Sequence, residues 1–269
     1  MFCSVGNRCL RRICENRRVE QDHKKMTTKT MAENPKDKYE FNEAEHIHTL
    51  NGKPLMGVTT VLSVISKPAL VPWAAKTVVD YIIEKAEFEG LEPAHYKVSE
   101  ELLQEAKSAH RVKKETAGDW GTGVHLAIEE WIKEKKLPEL DFEGLKGFLK
   151  FIFWAEKEEV KFIESEKHIY SKELWVGGIV DLVIEIKGKK YIADIKTSSG
   201  IYNEAFFQMA AYDLCLKEMG EGKDIAGYIV INLKKDGTMD MKMATDMEMN
   251  QQAFKSALSL YKIINNLKK

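Results

Sequence analysis

The chain predicts an α+β fold: a central mixed sheet flanked by helices, led by a largely helical N-terminal region. Three observations carry this expectation. Apolar residues keep helical spacing as far as Glu159, alternating β-type residues take over from Lys161, and the last third interleaves strands with two helices. With 269 residues, 44% of them hydrophobic, the chain can fill one sizeable core. A single domain over residues 39–269 is expected, mostly helical over 39–160 and strand-bearing over 161–269.

The ordered part begins with a short strand at Ile47 to Leu50, an Asn51-Gly52 turn and a second segment from Pro54. Thr59 or Thr60 caps a helix through Ile65, and Trp73 to Glu87 places Ala74, Val78, Tyr81 and Ile82 at helical spacing. Ser99 to Lys114, Asp119 to Lys136 (closed by Pro138) and Glu143 to Glu159 are further helices. Strands follow at Lys161 to Tyr170, Gly178 to Ile186 and Tyr191 to Lys196. A helix at Asn203 to Met219, a strand at Tyr228 to Leu233, an Asp236-Gly237 turn, a strand through Met243 and a helix from Asp246 to Leu267 complete the order.

Charge is uneven. Residues 1–38 hold ten Lys/Arg against five Asp/Glu, hence +5, which leaves −6 for the rest of a chain of net charge −1. An acidic body argues against coating duplex DNA through many phosphates, while a local grip on a few phosphates remains compatible. Five of the six arginines fall in the first 18 residues, so 1–38 reads as a basic disordered arm, a targeting leader, or sequence upstream of a true start at Met26 or Met31. No apolar run of secretory-signal kind follows the charges, and Glu15, Glu20 and Asp22 make an organellar leader the weaker alternative. The longest apolar stretch, Val58 to Val78, is broken by Ser63, Lys67, Pro68 and Lys76, so no membrane span is expected. Cys3, Cys9 and Cys14 sit in the tail and Cys215 on a helix, which suggests no disulfide framework, a reducing, cytoplasmic setting, and a buried Cys215.

The chemistry concentrates on the hairpin of Ile179 to Ile186 and Tyr191 to Lys196. A two-residue Gly188-Lys189 loop sets Asp181 opposite Lys196 and Val183 opposite Asp194, which puts Asp181, Asp194 and Lys196 on one side of the sheet. Two carboxylates offer hard oxygen ligands to Mg²⁺ or Mn²⁺, and a lysine beside them can orient a water or neutralise charge on a phosphate. The bland alternative is two aspartates flanking an edge strand, with Lys196 in a surface ion pair.

The segments Gly178-Ile179-Val180-Asp181, Ala193-Asp194-Ile195-Lys196-Thr197 and Gln208-Met209-Ala210-Ala211-Tyr212 together resemble the PD-(D/E)XK nuclease superfamily, most closely its RecB-like and phage-type exonuclease branch. The resemblance covers about Val58 to Leu233. It implies a restriction-endonuclease-like core whose metal, one or two ions of Mg²⁺ or Mn²⁺, is held by Asp181, Asp194 and the Ile195 carbonyl, with Lys196 catalytic. It further implies a histidine ligand on a helix, matched by His125 in Gly121-Thr122-Gly123-Val124-His125. Gln208 and Tyr212, four apart on one helix face, are the matching phosphate-reaching pair. Glu166 fits a supporting acid or a solvent-facing carboxylate. Trp73 and Lys76 fit a strand clamp, with core packing the alternative for Trp73, and Thr197 fits a DNA contact.

The motif's proline is Val180 here, which leaves the ligand Asp181 intact. No cysteine follows Cys215, so no iron–sulfur cluster is expected. The activity implied is a metal-dependent deoxyribonuclease, chiefly an exonuclease on DNA ends or single strands in phage or bacterial recombination or repair. An endonuclease on the same core, or an idle nuclease fold that binds DNA or a recombination partner protein, are the alternatives.

Overall fold

The computed structural model describes residues 37–91 and 94–266. The expectations about the basic arm, its three cysteines and the starts at Met26 and Met31 lie outside the described residues; the last helix, expected to reach Leu267, ends at Ile264. In chain order the elements are β1 (Tyr39–Asn42), β2 (Ile47–Leu50), β3 (Lys53–Pro54), β4 (Met56–Gly57), α1 (Val58–Val61), α2 (Leu70–Lys85), β5 (Glu87–Leu91) and β6 (Ala94–Lys97). They continue with α3 (Glu100–Ala106), α4 (Ala109–Glu134), α5 (Phe142–Lys157), β7 (Lys161–Ser171), β8 (Val176–Ile186) and β9 (Lys189–Lys196). Finally come α6 (Asn203–Glu218), β10 (Ile225–Leu233), β11 (Met239–Ala244) and α7 (Met247–Ile264).

The central sheet is mixed, with helices on both faces. Its order is β11-β10-β9-β8, and β7 lies on the other side of β8. Strands β7, β8 and β9 form an antiparallel meander, and α6 then carries the chain to β10, parallel to β9. A parallel neighbour needs such a crossover, because a tight turn can only reverse the chain. One face packs against α6 and α7 through Val183, Ile192, Val230, Met209 and Phe254. The other packs against α4 and α5 through Leu182, Ile184, Ile195, Ile231, Ile128, Phe148 and Phe151. Strict alternation of Leu182/Ile184 with Val183 is what a strand covered on both faces requires.

The structure corrects several local expectations. The β8–β9 turn is Lys187-Gly188, both at positive φ (51° and 78°), with Ile186 opposite Lys189 and Leu182 opposite Ala193. Glycine at the second turn position suits the two left-handed residues of a type I′ turn, so the loop sits one residue earlier than Gly188-Lys189. The register moves by two, Asp181 does not oppose Lys196, and extending the ladder sets it against Asp194. A slip of two by itself preserves the face of each residue, but β8 changes its facing between Val180 and Val183, so alternation alone does not group Asp181 with Asp194 and Lys196.

Helix α1 starts at Val58 behind Gly57 with no side-chain cap from Thr59 or Thr60, and passes into a 3₁₀ turn at Leu62–Val64. Helix α2 begins at Leu70 because Pro72 falls in its first turn, where proline forfeits no helical bond, and it ends at Lys85 before the hairpin β5–β6. The break expected near residue 115 falls instead at Lys107 and Ser108. Helix α4 runs unbroken through Gly118, Gly121 and Gly123, and α3 is capped by Ser99 Oγ on the Leu102 N–H at 3.2 Å. Cys215 is fully buried in α6, and burial pushes its thiol pKa up. Among the described residues no helix is long and apolar enough to cross a membrane.

The N-terminal strands β1 to β3 form their own small sheet, and β4 joins the central sheet parallel to Val176 and Gly177 of β8. Gly177 permits this approach, since a Cβ there would lie 2.8 Å from His48 Cβ. His48 is buried, stacks on Phe41 and shares a 2.6 Å hydrogen bond with the Tyr39 hydroxyl. Burial, reinforced by His46 and His168, pushes its pKa down to about 4. An unfolded histidine binds its proton near pH ~6.5, so between that pH and about 4 the unfolded chain carries more protons than the folded one. This contribution to stability is complete above pH ~6.5 and is lost as pH falls toward 4. The urea midpoint should therefore drop over that window, by an amount of about 1–3 kcal/mol in unfolding free energy, and His48→Gln should flatten the drop. An equal slope in wild type and variant would remove His48 as its cause.

Candidate metal centre

The site forms where the sheet opens. The last pair between β8 and β9 is Leu182 with Ala193, and beyond it β9 continues beside β10 while β4 takes up the far end of β8. In the gap, Asp181 Oδ2 accepts the Ile195 backbone N–H at 2.8 Å, replacing a ladder bond with a side-chain one. In an extended strand a residue's N–H and C=O point to the same edge, so the Ile195 carbonyl is directed to the same gap.

Across β8 the β7 ladder keeps its register at this level, its bulge lying earlier, between Phe162 and Glu164. Ser165 pairs with Leu182 and Lys167 with Val180, and the residues between them are Glu166 and Asp181. Glu166 has φ of 50°, an unusual conformation for a non-glycine residue inside a strand, and such strain concentrates at functional positions. The facing of β8 also shifts here. Val180 packs with the α6 side, as Val183 does, although alternation would group it with Leu182.

Helix α4 brings His125 over this opening. A Cβ on Gly121 would lie 2.6 Å from Thr197 Oγ1, so the glycine lets the helix rest directly on the residue after β9, one turn before His125. His125 Nδ1 is then 3.6 Å from Asp181 Oδ2. His125, Glu166 and Asp181 each offer a ligand atom, all within 4.8 Å of one another. Two carboxylates and an imidazole suit a hard divalent cation, with the imidazole favouring Mn²⁺ over Mg²⁺. Without a cation the acids repel. Burial, then the carboxylates of Asp181 and Glu129, push the Glu166 pKa up to about 7 against the pull of Lys133.

Asp194 stands beside this trio. It is 1% exposed, and Lys196 Nζ lies 2.8 Å from both of its oxygens. Only Oδ1 meets hydrogen-bond geometry, so Oδ2 is buried without a donor. Burial raises the Asp194 pKa against the attraction of Lys196. Burial opposes the Lys196 ammonium, but the carboxylates of Asp194 and Asp181 outweigh it and raise its pKa. On the other face α6 presents Gln208 and Tyr212, with Gln208 Nε2 donating to the Tyr212 hydroxyl at 2.7 Å. The Tyr212 ring lies against Gly178, where a Cβ would come within 2.7 Å of Cε1. Burial, Asp181 and Asp194 hold its pKa well above that of an ordinary phenol.

The expected residues thus gather unevenly. Glu166 joins His125 and Asp181, whereas Asp194 is engaged with Lys196. Gln208 and Tyr212 line the adjoining cleft, and Thr197 supports α4. Trp73 is half-buried on α2, and Lys76 is exposed in an ion pair with Asp80 at 2.6 Å; neither is among the cleft's lining residues.

Two groups escaped the sequence reading. Glu129 and Lys133 continue the face of His125 at four-residue steps, a signal available from spacing alone. Asn232, fully buried, accepts the Ser198 N–H at 3.0 Å and donates to the Ser198 carbonyl at 2.9 Å, pinning the chain just after Thr197. Nothing in a lone strand asparagine marks that role. Asn232→Ala should cost about 1–3 kcal/mol in urea unfolding, because both Ser198 groups lose their partner. Glu166→Gln should weaken Mn²⁺ binding by roughly tenfold or more in calorimetry, and unchanged affinity would exclude Glu166 as a ligand.

No protein-family model matches the chain, and no curated protein matches it. Among solved structures it is similar to one described as the crystal structure of SSO0001, at 14% identity and a TM-score of 0.26. The match covers 45% of this chain and 61% of that one, and likeness at this level carries no argument.

Proposed function

We propose that this chain is a divalent-metal-dependent deoxyribonuclease of PD-(D/E)XK type, acting as an exonuclease on DNA ends or single strands. The observation that supports it most is the meeting of His125, Glu166 and Asp181 beside a buried Asp194–Lys196 pair at a break in the sheet. Asp181, Glu166 and His125 would hold the ion, with Asp194 Oδ2 and the Ile195 carbonyl as further candidate donors. The donor set fits Mg²⁺ or Mn²⁺, and the repulsion recorded in Glu166 fits a site that a cation relieves. When bound, the ion would polarise a phosphate and lower the pKa of a water.

The protein's own groups have distinct tasks. Lys196, kept as an ammonium by Asp194, donates to a non-bridging phosphate oxygen and offsets the charge that builds there. Its pairing makes it a donor in preference to a proton acceptor. Gln208 supplies a hydrogen to the Tyr212 oxygen, which leaves the phenol proton to point into the cleft at a phosphate oxygen. The Gly121–Thr197 contact sets the height of His125, and the Asn232 amide fixes the loop on which that contact rests.

Cleavage of end-labelled linear DNA with Mn²⁺ or Mg²⁺ tests this reading. Asp194→Ala and Lys196→Ala should each lower the rate by about 10²-fold or more, and chelation should abolish it. Circular single-stranded DNA should stay intact. Equal cleavage by wild type and both variants would sink the site, cutting of circles would make the enzyme an endonuclease, and DNA binding without cleavage would leave a binding module on the same fold.

A further inference from the structure

The cleft that holds Asp181 and Glu166 extends well past them. At about 1360 Å³ it exceeds the roughly 300–1,000 Å³ of a small-molecule pocket, and its far end is lined by Trp175, Lys53, Lys172 and Lys262. Trp175 immediately precedes β8, six residues before Asp181, which at about 3.3 Å per residue separates the two by roughly 20 Å. One end of the cleft is therefore acidic and the other basic, three lysines against Glu173, in a body whose residues 39–269 sum to −6. That contrast suits a polyanion with one phosphate at the carboxylates and further phosphates along the cleft.

Trp175 is built in firmly. Its φ is 60°, its carbonyl accepts the Met56 N–H at 3.2 Å, and its indole N–H donates to the Pro54 carbonyl at 3.0 Å. With its one polar atom engaged by the protein, the ring offers a ligand only apolar surface, which favours stacking over hydrogen-bond recognition. The preceding turn is held by Glu218, which accepts the N–H groups of Lys172 at 2.8 Å and Glu173 at 3.3 Å. Lys262 reaches the same turn through the Leu174 carbonyl at 3.3 Å. Stacking platform and lysines are therefore carried on one braced segment.

We propose that this end of the cleft is a binding subsite for extended single-stranded DNA, with a base stacked on Trp175 and phosphates at Lys53, Lys172 and Lys262, roughly 20 Å from the scissile phosphate. The proposal rests on the nuclease reading and adds to it a minimum strand length, since a fragment of two or three nucleotides does not span the cleft.

Fluorescence anisotropy in chelator and cleavage in Mn²⁺ should be measured on oligothymidylates of about three and about twelve nucleotides. Wild type should prefer the longer strand. Trp175→Ala should weaken binding of the longer strand by about five- to hundredfold, and lower its cleavage by a larger factor than that of the shorter. Trp175→Phe, which keeps an aromatic face and loses the N–H donor, should retain most of the affinity. The exposed pair Lys53→Glu with Lys172→Glu tests the subsite should Trp175→Ala fail to fold, and it should reduce both affinity and its salt dependence.

Wild-type affinity for the longer strand in all variants would overturn the subsite and leave the nuclease standing. Phenylalanine behaving like alanine would reduce Trp175 to a brace and overturn its stacking role. Tighter binding of oligouridylate would overturn the assignment to DNA, and a wild type that neither binds nor cleaves either oligomer would overturn both readings.

Discussion

The structure depends on one event, the parting of β8 from β9 after Leu182 and Ala193. A closed ladder would satisfy the Ile195 N–H with a carbonyl and leave the strand edge inaccessible. Here Asp181 supplies that acceptor with its side chain, at 2.8 Å, so the backbone stays satisfied while the sheet opens. The opening lets groups from both helical layers meet: His125 from the α4 side, Gln208 and Tyr212 from the α6 side, Glu166 and Asp181 from the sheet itself. The left-handed φ of Glu166 falls at the same level, so strain and opening coincide.

Such an opening is expensive in charge. Asp194 is almost wholly buried, and its solvation is replaced by one lysine that serves only one of its oxygens well. Replacing buried ionic groups by packed apolar ones is often neutral or stabilising, so retention of this pair is poorly explained by stability. Glu166 raised toward neutrality by its acidic neighbours points the same way. Elsewhere the fold is conventional, with dense apolar layers on both faces of the sheet and fully buried Phe148, Phe151, Phe254 and Tyr228. Those layers hold the strained level in place, since each neighbouring residue on β8 and β9 is anchored in one core or the other.

Small residues decide how closely the parts approach. Gly121 lets α4 rest on Thr197, Gly177 admits His48, and Gly178 makes room for the Tyr212 ring. Each of these contacts joins segments far apart in the chain, and none is announced by local propensity. The same holds for Asn232, whose amide substitutes for a backbone partner of Ser198.

Much of the architecture was legible from periodicity. The meander, α6, β10, β11 and α7 lie within a few residues of where pattern and turn residues set them, because two-sided burial writes itself into alternation and helical spacing. The hairpin β5–β6 was not legible, since Glu87-Phe88-Glu89 and the residues around it lack an apolar face of the usual kind. By itself the sequence determined which residues share a face within one strand or helix, hence that Asp194 lies beside Lys196 and that Gln208 meets Tyr212. Only the tertiary structure decided that Glu166, not Asp194, completes the trio with His125 and Asp181. That choice depends on where two strands separate, how a helix settles on a threonine and which carboxylate a lysine already holds, and these are contacts between distant segments that no local pattern encodes.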